Sequence, residues 1–206
     1  MSTPSISSKP LATLIVFAGL FFAANQAAIA GDLRVGTCKR DITPVSPSLA
    51  SAYEAKFGGP ALINHTDPVY LAGFGNNRQA TGYNDRLWAR GVVIDGRGGR
   101  IALVALDLIG YFNNQVDIIR QMVGDDIDYL IVHSSHSHEG PDTLGIWGPD
   151  SVTSGVDPAY LDFVNDAVAD CIIEASASMT QARVKSSTIQ SDGLSLGIRV
   201  DDDGFG

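Results

Sequence analysis

Cations are scarce in this 206-residue chain: 14 Lys and Arg stand against 23 Asp and Glu, a formal charge of −9. Without a basic surplus to neutralise phosphates, the composition argues against a nucleic-acid binder and disfavours attachment to anionic lipid by charge. Charged residues of both signs reach only 18%, against 45% hydrophobic, so an intrinsically disordered chain is also excluded. Cysteine is down to two, Cys38 and Cys171, enough for one bridge or for two buried free thiols. No repeat, low-complexity tract or linker divides the chain, and its length suits one domain.

Several chemical signatures are missing too. Gly73-Phe74-Gly75 lacks the helix and third glycine of a dinucleotide fingerprint. Neither a G-x-S-x-G elbow nor an H-E-x-x-H helix occurs. Asp201-Asp202-Asp203-Gly204 has neither the spacing nor the closing Glu of a calcium loop, and reads as a solvated turn. Long apolar runs are limited to one, Leu11–Ala24.

That run follows a polar start holding Lys9 and precedes Ala28-Ile29-Ala30, the three-part layout of a secretory leader. Its fourteen residues fall short of the ~20 that span a bilayer, so residues 1–30 read as a cleaved signal peptide rather than an uncleaved anchor. The mature chain, 31–206, is then expected outside the cytoplasm, secreted or periplasmic, without an integral membrane span. Losing one cation and no anion shifts its charge from −9 to −10. Export would place Cys38 and Cys171 where a disulfide is permitted. The sequon Asn64-His65-Thr66 matters only in a host that glycosylates exported proteins.

Along the mature chain, residues 45–67 are rich in Pro, Gly, Ser and Ala and read as a long surface loop. The runs 90–95 and 100–108, joined by Gly96-Arg97-Gly98-Gly99, predict a hairpin. Apolar residues at 116, 119 and 123 with Gly124 behind them predict a helix over 113–123. Strand character returns at 129–134, making a β-α-β unit whose strands run parallel. Asp157-Pro158 opens a second helix with apolar face Leu161, Val164, Val168, Cys171, Ile172 and Ala175. A last strand is expected over 182–189. The fold class is α/β, with a mixed sheet.

Three of the four histidines, His133, His136 and His138, lie within six residues. They follow a parallel strand, at the carboxyl end where open α/β sheets bind their ligands. In extended backbone His136 and His138 share a side, and His133, part of the strand, points away. Two adjacent imidazoles can both ligate Zn²⁺, or one can ligate while the other moves protons. Asp107, at the end of the neighbouring strand, could accept a hydrogen bond from a ligating histidine, or could simply cap the strand-to-helix turn. Glu139 has the opposite parity.

Four ordered segments are similar to the N-terminal catalytic region of the neutral/alkaline, non-lysosomal ceramidase family. They are VGTCKRDITP (35–44), LAGFGNNRQATGYNDRLWARGVVID (71–95), LDLIG (106–110) and SSHSHEGPD (134–142). The resemblance covers most of 35–142 and fades afterwards. It implies a zinc-dependent amidase that hydrolyses N-acyl sphingoid lipids with metal-activated water. On that reading His136 is a zinc ligand and His138 a catalytic residue near the substrate carbonyl.

The chain departs from the family at Ser137 and Glu139, in the 45–67 excursion, and at Gly145-Ile146-Trp147-Gly148-Pro149. There the Trp147 indole would reshape the acyl pocket and bind substrate differently. No histidine follows His138, whereas the family completes its zinc site further downstream. The chain is therefore expected to be the N-terminal portion of a larger zinc hydrolase domain, with weak zinc binding and little amidase activity by itself. A secreted non-catalytic binding module, or a metallohydrolase for another ester or amide, are the alternatives.

Overall fold

The computed structural model describes residues 33–188. The leader expected over 1–30, the aspartate-rich turn and the end of the last expected strand lie outside the described residues. The elements are β1 (Arg34–Asp41), α1 (Ala50–Phe57), β2 (Trp88–Gly96), β3 (Gly99–Leu106), α2 (Asn113–Val123), β4 (Tyr129–Ser134), α3 (Pro158–Ala177) and β5 (Thr180–Gln181). They build one five-stranded sheet in the order β4-β3-β2-β1-β5. Only β3 and β4 pair in parallel; the remaining neighbours are antiparallel. This is the mixed α/β sheet with a β-α-β unit that the sequence pattern predicts.

Local signals explain most boundaries. Gly96 and Gly99 face each other across the β2–β3 hairpin, and Gly99 takes φ 115°, which glycine adopts without penalty. Val116, Ile119 and Val123 form the buried face of α2, and Gly124 stops the helix with its N–H on the Arg120 carbonyl. Each such aliphatic side chain, fully buried, contributes about 1.5–3 kcal/mol. Asp157 caps α3 by accepting from the Ala159 N–H at 2.8 Å, with Pro158 in the first turn.

Strand register sorts the side chains into two faces. Val93, Ala102, Val104 and Leu106 meet Ile119, Val164, Val168 and Ile172 in a single apolar cluster under α2 and α3. Gly36 in β1 lets α3 approach closely, since a Cβ there would run into the Ala175 backbone. Cys38 and Cys171 lie on this face with Cα atoms 5.2 Å apart and form a disulfide, which settles the alternative the composition left open. Gly91, opposite Cys38 in the ladder, leaves room for the two sulfur atoms.

Two expectations need correction. Residues 45–67 are not a plain surface loop: they contain a 3-10 turn at Pro47–Leu49 and then α1. The segment is also fastened to the body, because Val45, Leu49 and His65 are buried. Asn64, the sequon residue, accepts from the Val45 N–H at 2.7 Å and donates to the Thr43 carbonyl at 3.0 Å. The last strand is only Thr180–Gln181, pairing with Arg34 and Val35; residues 182–188 carry no strand. Its partner β1 begins at Arg34, opposite Gln181, so a longer β5 would find no described strand to pair with. Among the described residues, no helix is long and apolar enough to cross a membrane.

Candidate functional site

Beyond their last ladder pair, the parallel strands stay together. Ser135 and Ser137 donate their N–H groups to the Leu106 and Leu108 carbonyls, at 2.9 and 3.1 Å. This pairing carries residues 135–138 along the segment that follows β3 and sets the histidines at the carboxyl end of the sheet. The chain is not extended there. His136 adopts φ 64°, a left-handed conformation that few non-glycine residues take. The His136 and His138 rings nevertheless adjoin, with centroids 4.9 Å apart and planes at 88°. Strand alternation is thus not what brings them together; the turn at His136 does. His133 sits on the strand, opposite Ala105.

His136 Nδ1 lies 2.9 Å from the Ile109 carbonyl oxygen. A carbonyl only accepts, so Nδ1 carries the proton and Nε2 keeps its lone pair. That is the expected preparation of a metal-ligating imidazole, but the partner differs from the one predicted. Asp107 accepts instead from the Trp88 N–H at 3.0 Å and from Arg90 at 2.8 and 3.1 Å. Its position at the end of β3 aims its carboxylate at the β2 neighbour, leaving no bond to a histidine.

His138 is held largely by residues of the 71–95 segment, to which the sequence assigns no such role. Its ring occupies the space that a Cβ at Gly73 would fill, and Gly73 has φ 81°, so the position suits glycine twice over. The Gly73-Phe74-Gly75 stretch that fails as a dinucleotide fingerprint is therefore the seat of His138. Phe74 and Trp147 flank the ring with centroids at 5.1 and 6.1 Å. Arg78 donates to the His138 carbonyl at 2.7 Å and pairs with Glu139. Nδ1 of His138 is buried without a hydrogen-bond partner.

Asp142 organises the approach from the other side. Its carboxylate accepts from the N–H groups of Leu144, Gly145, Trp147 and Gly155, at 2.8–3.2 Å. Such convergence fixes the turn that presents Trp147. A cavity of about 610 Å³ opens nearby, walled in part by Ser135, Ser137, Glu139 and Asp107. The two imidazoles are not in its wall. Ser135, Ser137 and Glu139 thus face the cavity while His136 and His138 do not, and the histidine pair is the candidate site.

A zinc ion could use Nε2 of His136 and the neighbouring imidazole. Among the described residues, however, no group of three or more His, Cys, Asp or Glu side chains is placed to hold a metal. Catalytic zinc takes three protein ligands, so the donors here fit as part of a site.

The fold and the paired imidazoles define an α/β scaffold with a candidate reactive edge at its parallel strands. No family model matches this chain, and no curated protein matches it. Among solved structures it is similar to a neutral ceramidase from Pseudomonas aeruginosa, with a TM-score of 0.54 and 20% identity over 73% of this chain. A ceramidase complexed with C2 aligns with a TM-score of 0.53 at the same identity and coverage. The chain spans 22% of the length of each. At this identity the likeness shows a ceramidase-like fold.

Proposed function

We propose that this chain carries the first histidine-bearing part of a ceramidase-like hydrolase that cleaves the amide bond of an N-acyl sphingoid or related lipid amide. The observation behind this reading is the oriented His136 ring beside His138, on a fold similar to neutral ceramidases. His136 offers Nε2 to zinc, with its ring fixed by the Ile109 carbonyl. When bound, the ion would polarise the amide carbonyl and lower the pKa of its water. His138, kept in place by Gly73, Phe74 and Arg78, holds or passes a proton at the substrate carbonyl. Trp147 stands against His138 and walls the acyl side of the approach. The other zinc ligands lie outside the described set.

Zinc titration of the processed chain beginning at Gly31 tests the metal half of this reading. The His136 imidazole should give weak binding that His136→Ala abolishes; affinity unchanged in that variant would count against it. Hydrolysis of an N-acyl sphingosine by the whole zinc-loaded hydrolase that contains this part should fall by about 10²–10⁴ in His138→Ala, the range of a general acid–base group. Equal rates would remove His138 from the chemistry. Trp147→Ala should change the preference between long- and short-chain amides.

A further inference from the structure

Glu139 puts a charge where the chain departs from the ceramidase family, and the structure ties that charge to the seat of His138. Its carboxylate pairs with Arg78, from the same segment that supplies Gly73 and Phe74. Glu139 is itself 70% exposed, so the pair is no part of the core.

The guanidinium reaches further than the pair. Its planar fork of N–H groups holds several acceptors in a fixed relation to one another. Nη1 donates to the His138 carbonyl at 2.7 Å and to the Ala72 carbonyl at 3.3 Å, while Nη2 donates to Glu139. Ala72 immediately precedes Gly73, so the fork joins the backbone of the seat to the backbone of the residue seated in it. The spacing it sets matters, because a Cβ built on Gly73 would lie 1.8 Å from Nδ1 of His138. Phe74 takes part in both contacts: its ring centroid is 5.3 Å from the guanidinium carbon and 5.1 Å from the His138 centroid. Main-chain bonds flank this point. The Ser137 N–H is anchored on the Leu108 carbonyl, and the Gly140 carbonyl accepts from the Ala72 N–H at 3.0 Å. His138 and Glu139 run between those anchors, and Arg78 supplies a tie to the seat within that span.

We propose that Glu139 is a positioning residue that acts through Arg78 to fix the His138 ring over Gly73. The carboxylate accepts from Nη2 and so turns Nη1 onto the two carbonyls; without it the guanidinium is free to turn to water. Glu139 thereby has a part other than general base or metal ligand, since its charge is engaged by Arg78. An exposed ion pair adds little to stability, so the effect falls on placement rather than on folding. The consequence for turnover rests on the lipid-amide reading of the site; the placement does not.

NMR of the processed chain, free of metal, reads the placement as nuclear Overhauser contacts between the His138 ring and the Gly73 α-protons. These contacts should be strong in the wild type, severalfold weaker in Glu139→Ala and lost in Arg78→Ala. The double variant should match Arg78→Ala, because Glu139 acts through that residue. Glu139→Gln, whose amide oxygen still accepts from Arg78, should restore the contacts, and the thermal midpoint of Glu139→Ala should stay at the wild-type value. If Arg78→Ala fails to fold, the two Glu139 variants, at an exposed side chain, still carry the test. In the whole hydrolase, kcat of Glu139→Ala should fall about tenfold at unchanged KM, since a misplacement of about 1 Å can cost about 10²-fold. Ring contacts unchanged in Glu139→Ala, a double variant clearly worse than Arg78→Ala, or full kcat in Glu139→Ala where His138→Ala is impaired would each overturn the proposal. If the ring contacts respond as expected while His138→Ala hydrolyses at the wild-type rate, the lipid-amide reading falls and the positioning role stands.

Discussion

His65 is the one histidine sealed inside the described fold, 4% exposed, and its chemistry follows from that burial. Nδ1 is 2.6 Å from the Thr66 carbonyl and 3.4 Å from Asp157, while Nε2 has no partner. The nearby carboxylates Asp157 and Asp67 favour a charged ring, but desolvation is the larger effect and pushes its pKa below 6.5. Burial also opposes ionisation of Asp157, yet bonds from Thr66 and Ala159 outweigh it and hold that carboxyl below its ordinary value. Below pH 6.5 the unfolded chain takes up a proton that the folded ring resists, so stability falls as the medium is acidified. Asp157 adds to this loss only at lower pH. The thermal midpoint should drop more between pH ~7 and ~5 in the wild type than in His65→Gln, within the histidine range; equal drops would rule out His65 as the group responsible. Residue identities at the candidate site were readable, because clustered histidines stand out. Their partners were not: nothing local in the sequence ties His136 to Ile109 or seats His138 over Gly73.

At the scale of elements, the hairpin, α2, β4 and α3 follow from hydrophobic period and end signals. α1 escaped because its ASAYEAKF stretch has no apolar stripe and buries none of its residues. The approach of α3 to β1 depends on Gly36, whose missing side chain is a packing requirement rather than a turn signal. Gly36→Ala should lower stability by about 1–3 kcal/mol through overpacking, measured by urea unfolding. Gly82→Ala, where an added Cβ meets nothing within 4 Å, is the control. If both variants unfold at the same urea concentration, the close approach of α3 has no energetic weight.

Across the whole molecule, the Cys38–Cys171 bridge joins β1 to α3 over a sequence separation of 133. Closing so long a loop restricts the unfolded chain, and the chain-entropy account assigns about 5 kcal/mol to it. Replacing both cysteines with alanine should therefore lower the unfolding free energy by roughly 3–5 kcal/mol, read by chemical denaturation. An unchanged midpoint would show that the bridge contributes nothing. The sequence by itself determined the α/β class, the parallel β3–β4 unit and the position of His136 and His138 after β4, since these rest on periodicity and short-range order. Only the tertiary structure decided the bridge, the Ile109 and Arg78 contacts, the loss of Asp107 as a histidine partner, and the seat of His138 over Gly73. Those join residues far apart in the chain, and packing in three dimensions selects them.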